Sequence, residues 1–396
     1  MRRSAIALLL AAALIALGRN AERFANRVAG SRGPVVSPRG AALHRSSLVA
    51  DLHADSLLWN RDLASRSAVG HADLPRLREG NVALQVLTIV TRFPVTASIR
   101  RTDPRAPDLI TLLAVTNGWP VAAWTSLADR ALYQAGKLET LAARDPRLRL
   151  VRSRGDLDRL IADRATDPRW VGALLGIEGA HALDRDSALD ELYAAGVRLI
   201  GLAHFFDNDY AGSAHGLAKG GLTARGRDLV FELERRGVAV DLAHASARTI
   251  DDVLAIARKP TVVSHTGIQA TCDNPRNLSD AQLRAIAAAG GVIGIGGWAT
   301  AVCGDSPADV ARAFRHAVAV AGDDHLALGS DFDGAVTTPF DAARLDALTE
   351  ALLEAGLAEA SVRKLLGENA LRVLHAALPD EPIAEDARGR EARARR

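Results

Sequence analysis

From Leu48 onward the chain alternates short, nearly all-apolar runs with longer segments whose apolar residues recur every three or four positions. The short runs are Leu48–His53, Ala83–Val90, Val171–Glu178, Val197–His204, Val238–His244, Thr261–His265, Val292–Gly297 and Leu326–Asp331. Runs apolar on both faces are what parallel strands need when helices cover the sheet on each side. The longer segments, such as Leu222–Arg236, Ala247–Arg258, Ser279–Ala289 and Pro307–Ala321, read as amphipathic helices. Ser246 and Ser279 stand at N-cap positions, and Gly237 and Gly290 at C-cap positions. Eight strands alternating with helices predict an α/β fold, a (β/α)8 TIM-like barrel. A doubly wound open sheet is the competing architecture. Residues 91–170 exceed a minimal crossover, and Asp108–Leu150 and Gly155–Asp163 within them read as helical. They predict a helical insertion between strands two and three, placed to cap one mouth. Asp207–Gly221, rich in Gly, Ala and Asp, reads as a mobile loop after strand four.

The ends of the chain follow another pattern. Arg2 and Arg3 precede an apolar run from Ala5 to Leu17, and Ala16-x-Gly18 supplies small residues after it. This predicts an export signal over residues 1–18, or an uncleaved N-terminal membrane anchor, and hence a periplasmic or extracellular protein. The run is short against the ~20 apolar residues of a membrane span. Residues 19–45 read as a peripheral linker, 46–378 as one barrel domain, and 379–396 as a charged, frayed tail. Hydrophobic residues make up 48% of the chain, enough for a large aliphatic core. The net charge of +2 comes from interleaved signs, which argues against nucleic acid as the main partner.

In such barrels chemistry gathers at the C-terminal ends of the strands. Those ends carry His53 and Asp55, Glu178, His204, His244, His265 and Asp331. On a strand, His53 and Asp55, two apart, share one face. Together these imidazoles and carboxylates form a concave cluster that is costly to bury without cations, and zinc accepts both ligand types. The other histidines, His44, His71, His181, His215, His316, His325 and His375, read as surface or packing residues, His181 with a supporting role beside Glu178. Asp241 and Asp333 read as orienting groups. No Gly-x-Ser-x-Gly elbow argues for a serine nucleophile.

His53-x-Asp55, Ile177-Glu178-Gly179-Ala180-His181, Leu202-Ala203-His204, Val240-Asp241-Leu242-Ala243-His244, Ser264-His265 and Gly329-Ser330-Asp331-Phe332-Asp333-Gly334 occur in order, with barrel spacing. This series, running from about residue 47 to 376, resembles the membrane (renal) dipeptidase family of zinc peptidases. The resemblance implies two zinc ions bridged by Glu178 and a hydroxide, one completed by His53 and Asp55, the other by His244 and His265. It implies that His204 contacts the substrate and polarises the tetrahedral intermediate, that Arg276 holds the substrate carboxylate, and that Asp331 is the acid/base. The substrate would be a dipeptide, tolerance of a D-residue at its second position being left open; barrel hydrolases often dimerise, which makes a homodimer the candidate assembly. Cys272 falls where the family's extracellular members begin a disulfide. Cys303 is the one other cysteine and its candidate partner, two buried free thiols being the alternative. His204-Phe205-Phe206-Asp207-Asn208 departs from the family pattern, which leaves side-chain preference open. Rival binuclear barrel hydrolases open with His-x-His and use a carboxylated lysine. None of Lys137, Lys219, Lys259 and Lys364 lies at a predicted strand end. A non-catalytic barrel scaffold, the remaining alternative, would be expected to lack a ligand.

Overall fold

Eight parallel strands close on themselves: β1 (Val49–Ala54), β2 (Val82–Val90), β3 (Val171–Glu178), β4 (Val197–Gly201), β5 (Ala239–Asp241), β6 (Val262–Thr266), β7 (Val292–Ile295) and β8 (Leu326–Leu328). Each pairs with the next, and β8 pairs with β1, so this computed structural model is the expected barrel and not the open sheet. It describes residues 15–29 and 34–381. A short strand, Leu148–Leu150, adds to the start of β3. Inside the barrel, Leu52, Leu84, Val86, Leu174, Leu199, Val262 and Val292 meet in one buried cluster, joined by Leu371 and Leu374 of the helix Asn369–Ala377. A larger cluster, including Leu175, Ile177, Ile200, Val263 and Ile293, packs the outer strand faces against the helices.

Helix boundaries follow local chemistry. Ser246 accepts the backbone N–H of Thr249, and Ser279 forms a reciprocal capping box with Gln282. Gly237 ends the helix Ala224–Arg236 at φ 71°, in the left-handed region that glycine adopts at no steric cost.

The strands are shorter at their C-terminal ends than the apolar runs suggest. β4, β5 and β8 stop at Gly201, Asp241 and Leu328, before His204, His244 and Asp331 are reached. His244 and Asp331 both sit at φ 60°, which an extended ladder cannot accommodate. Asp55 likewise lies just beyond β1, at the head of a 3₁₀ turn, Ser56–Leu58.

Between β2 and β3 the insertion forms the helices Leu109–Thr116, Ala122–Thr125, Leu127–Arg144 and Arg154–Thr166. Fully buried Arg130 fastens it to the end of β2, donating to the carbonyl of Thr91 at 2.7 Å and pairing with Asp108 at 2.5 Å.

Residues 21–28 and 38–46 of the peripheral segment form short packed elements, and the reading of Asp207–Gly221 as a mobile loop needs correction. Ala21–Ala25 is helical, Arg27–Val28 pairs with Thr337–Thr338, and the helix Pro38–Ser46 packs on the helix Leu345–Glu354. The stretch Asp207–Gly221 is tied down: Asp207 accepts the N–H groups of Ser213 and Ala218 at 2.8 Å each, and residues 210–215 are buried. Most of the predicted export signal, residues 1–14, and the tail from 382 onward lie outside the described residues. Among the described residues no helix is long and apolar enough to cross a membrane.

Candidate active site

The mouth where the strands end gathers seven buried polar side chains: His53, Asp55, Glu178, His204, His244, His265 and Asp331. Glu178, the last residue of β3, is their centre. Its Oε1 lies 2.8 Å from His244 Nε2, 3.4 Å from His265 Nε2 and 3.7 Å from His53 Nε2, and its Oε2 lies 3.0 Å from His204 Nε2. His53 Nε2 also lies 3.5 Å from Asp55 Oδ1 and 4.0 Å from Asp331 Oδ1. Three sets of ligand atoms are close enough to share an ion: His53, Glu178 and His265; Glu178, His204 and His244; His53, Asp55 and Asp331. The cluster therefore contains every residue the resemblance assigns to metal. It also places His204 beside Glu178, closer than a purely substrate-facing residue would need to be.

The ladder breaks beside the clustered residues. Register shifts fall between Asp51 and Ala54 in the β1–β2 pairing, and between Val263 and Thr266 in the β6–β7 pairing. Strict alternation would turn either Leu52 or His53 away from the interior. Across the shift, Leu52 joins the inner apolar cluster and the next residue, His53, still reaches Glu178.

Hydrogen bonds behind the imidazoles fix which nitrogen carries the proton. Ser264 Oγ donates to Asp241 Oδ2 at 2.6 Å, which spends its one hydrogen. It can then only accept, from His53 Nδ1 at 3.0 Å and from His265 Nδ1 at 3.0 Å. On the other side, His215 Nδ1 faces the carbonyls of Ser98 and Ile99 at 3.1 and 3.2 Å and must donate to them. Its Nε2, 2.9 Å from His244 Nδ1, is therefore the acceptor. The Nε2 atoms of His53, His244 and His265 thus all face Glu178, those of His244 and His265 as lone pairs. These two lie 2.9 Å apart, and His53 Nε2 is buried with no hydrogen-bond partner. Lone pairs and a carboxylate converging without a shared proton are what a divalent cation satisfies, so the residues fit a metal.

Charge points the same way. Burial opposes a proton on His53, yet Asp55, Glu178 and Asp331 raise its pKa to about 10, a measure of how strongly the pocket attracts a cation. Burial, with Arg276 nearby, holds His244 well below its ordinary value, and burial and His53 do so for His265, leaving both neutral as metal ligation requires. Despite burial, His204 and His244 keep Glu178 well below the carboxylate range. Burial pushes Asp331 well above it; Asp55 and Glu178 add to the rise, and His53 and Arg276 oppose it. Burial brings Arg276 down to about 10, so it stays charged at neutral pH. Its guanidinium donates to the carbonyl of His265 at 2.8 Å and borders, with Glu178, His204 and Asp331, a cavity of about 590 Å³.

Three contributors are absent from the sequence-based list. His215, read as surface or packing, orients His244. Ser264 serves two histidines at once, and the hydroxyl directly before His265 was the available signal. Thr88 donates to Asp55 at 2.6 Å from the interior face of β2. Asp241 and Asp333 are orienting groups: Asp333 accepts from Ser56, Arg61 and the N–H of His71. His181 bonds Thr91 at 3.3 Å and packs on Phe206, and burial lowers its pKa to about 3. Cys272 and Cys303 are joined in a disulfide beside Arg276, with Cα atoms 5.2 Å apart.

Comparison with known proteins agrees with this geometry. Dipeptidase verJ of Clonostachys rogersoniana is 34% identical over 232 residues, 55% of this chain and 60% of that protein. The chain thus spans less than two thirds of this relative's length. A metallopeptidase from Rhodobacter sphaeroides, solved with a phosphinate mimic of the dipeptide L-Ala-D-Ala, superposes with a TM-score of 0.68 at 27% identity, over 84% of this chain and 100% of that one. A solved dipeptidase of metallopeptidase family M19 gives a TM-score of 0.67 at 28% identity, over 84% of this chain and 99% of that one. The model of the membrane dipeptidase family, peptidase family M19, matches residues 38–384. With that match spanning nearly the whole barrel and its mouth, the chain belongs to the membrane dipeptidase family.

Proposed function

We propose that the protein is a zinc-dependent dipeptidase that hydrolyses the amide bond of dipeptides with a free C-terminal carboxylate. The observation that carries this reading is the convergence of three imidazole Nε2 atoms on Glu178, with Asp55 and Asp331 beside His53 and a charged arginine on the same cavity wall. His53 and Asp55 would hold one zinc, His244 and His265 the other, and Glu178 both. Bound there, two zinc ions would supply Lewis acidity for the scissile carbonyl and make water nucleophilic near neutral pH.

The chain's own residues do the rest. Arg276, anchored through Nη2 to the carbonyl of His265 at 2.8 Å and through Nη1 to the Thr266 hydroxyl at 3.3 Å, offers its remaining N–H groups to the substrate carboxylate, a charge-assisted contact. This favours dipeptides, because a longer chain would carry its carboxylate past that point. His204, whose Nδ1 faces the carbonyl of Arg92 at 3.3 Å and whose Nε2 lies at the cavity beside Glu178, stands where it contacts the substrate and the developing oxyanion. Asp331, as the carboxylate, takes the attacking water's proton and, as the acid so formed, passes it to the leaving amine; burial, which raises its affinity for a proton, suits it to that relay. The dipeptide mimic bound by the Rhodobacter sphaeroides metallopeptidase supports extending acceptance of a D-residue at the second position to this chain. The apolar run behind Arg2 and Arg3 and the single disulfide support export to an oxidising compartment.

The test is kinetic. Zinc-loaded protein should release amine from L-L and L-D dipeptides and lose turnover when the C-terminal carboxylate is amidated. Arg276→Ala should raise KM for free dipeptides about 10- to 100-fold, the range for a hydrogen bond to a charged group. Its effect on kcat for a neutral amide should be far smaller, and equal losses on both substrates refute the arginine's role.

A further inference from the structure

The cavity is much larger than its polar wall and most of its lining is apolar. One part lies with Arg276, near Trp298 and Thr300. Asn274, two residues before Arg276, donates to the carbonyl of Thr300, and the Trp298 and His265 rings are 5.7 Å apart. The apolar part lies toward Asp55 and Asp331: Leu58 and Trp59 end the turn that begins at Asp55, and the Trp59 indole donates to the carbonyl of Asp333 at 2.6 Å.

This apolar lobe is closed by a segment outside the barrel. Leu17, Gly18, Ala21 and Ala25 recur on one helical face and line the cavity together with Leu109, Leu112 and Leu113 of the helix Leu109–Thr116. Ala21 and Ala25 pack on the cluster of Trp59, Ile110 and Leu113. Gly18 lies so close to Thr116 that any Cβ would collide with the threonine side chain. The segment is also fastened to the loop that carries Asp331. Glu22 accepts from Arg61 at 2.6 Å, Arg61 pairs in turn with Asp333, and Asn26 accepts the N–H of Ala335 at 2.9 Å.

We propose that the helix Ala21–Ala25 and the helix Leu109–Thr116 form a subsite for a large apolar side chain on the substrate's N-terminal residue, so that the segment preceding the barrel sets substrate preference. The proposal rests on the dipeptidase reading, which fixes the substrate's direction: with the carboxylate on Arg276, the N-terminal residue points toward Asp55, Asp331 and the lobe. At about 590 Å³ the cavity falls within the ~300–1,000 Å³ of sites for drug-sized ligands, well beyond the needs of a glycine or alanine dipeptide.

The experiment measures kcat/KM of the zinc-loaded full chain for Phe-Ala, Leu-Ala and Gly-Ala. Phe-Ala and Leu-Ala should exceed Gly-Ala by at least about 10-fold, the lower end of what even one methylene contributes in an apolar pocket. Ala25→Glu, which puts a carboxylate into the lobe, and separately Leu112→Gln should each lower the Phe-Ala to Gly-Ala ratio toward one. Both positions are partly exposed, and circular dichroism verifies folding. Equal kcat/KM for the three dipeptides, or a ratio that neither variant moves, overturns the subsite and leaves dipeptide hydrolysis standing. No turnover of any of the three overturns the dipeptidase reading and the subsite with it.

Discussion

Where its strands begin, the barrel is filled by Leu84, Leu174, Leu199, Val262 and Val292 and stoppered by Leu371 and Leu374, all apolar and all buried. Where the same strands end, buried positions hold four histidines and three carboxylates. The first end is held mainly by aliphatic area removed from water. The second buries groups that satisfy one another only in part, keeps His53 Nε2 without a partner, and holds His244 and Asp331 in the left-handed region. Backbone strain and incomplete polar pairing at one end persist because the apolar end and the surrounding helices over-determine the fold. One end is therefore built for stability and the other for holding a cation, and substitutions should separate the two.

The largest effect is expected at the mouth. Glu178→Gln keeps the shape and removes the charge that the histidines surround. It should strip most bound metal and lower kcat/KM by about 1,000-fold or more, the rate equivalent of several kcal/mol. Metal analysis and dipeptide kinetics check this. Calorimetry of the metal-free form should show a smaller fall in melting temperature than any large-to-small change in the inner core. Leu199→Ala is the reciprocal test. Emptying a fully buried site in the stoppered end should cost about 2–5 kcal/mol in urea unfolding. The surviving folded fraction should bind metal and turn over substrate as the parent does. If Leu199→Ala lowered metal content per folded chain, the separation between the two ends would be lost.

How much of this could be read in advance differs between the same two ends. The strand bodies were legible because a strand buried on both faces must be apolar throughout, and Val171–Glu178 begins and ends where its apolar run does. The clustered histidines and carboxylates were legible as chemical types near strand ends, and the resemblance supplied the roles proposed for them. Their backbone was not: periodicity carries no mark of a register shift at His53 or of φ 60° at His244, since both are set by what the neighbouring strands and loops impose. The Asp207–Gly221 loop was misjudged for a related reason. Gly, Ala and Asp describe a flexible loop in isolation, whereas here Asp207 caps its N–H groups and Ser213 ties it to the carbonyl of His204. His215 was invisible because its role depends on that loop folding back onto His244.

His215 offers the smallest and most specific test, because it lies at the mouth yet can be changed without touching Glu178. Burial, with Arg276 nearby, lowers its pKa to about 3, so it stays neutral across the working pH range and acts as an acceptor toward His244. Removing that acceptor leaves His244 free to carry its proton on Nε2, where an N–H would point at Glu178 in place of a lone pair. His215→Ala should therefore weaken metal binding about 10- to 100-fold, the usual cost of losing the group behind a ligating histidine. His215→Gln, whose side-chain carbonyl can accept the same Nδ1–H bond, should recover part of that loss. Chelator competition measures both. Equal weakening in the two variants would mean that His215 matters only for its stack on Phe205, 4.5 Å between ring centres, and not for the proton it places.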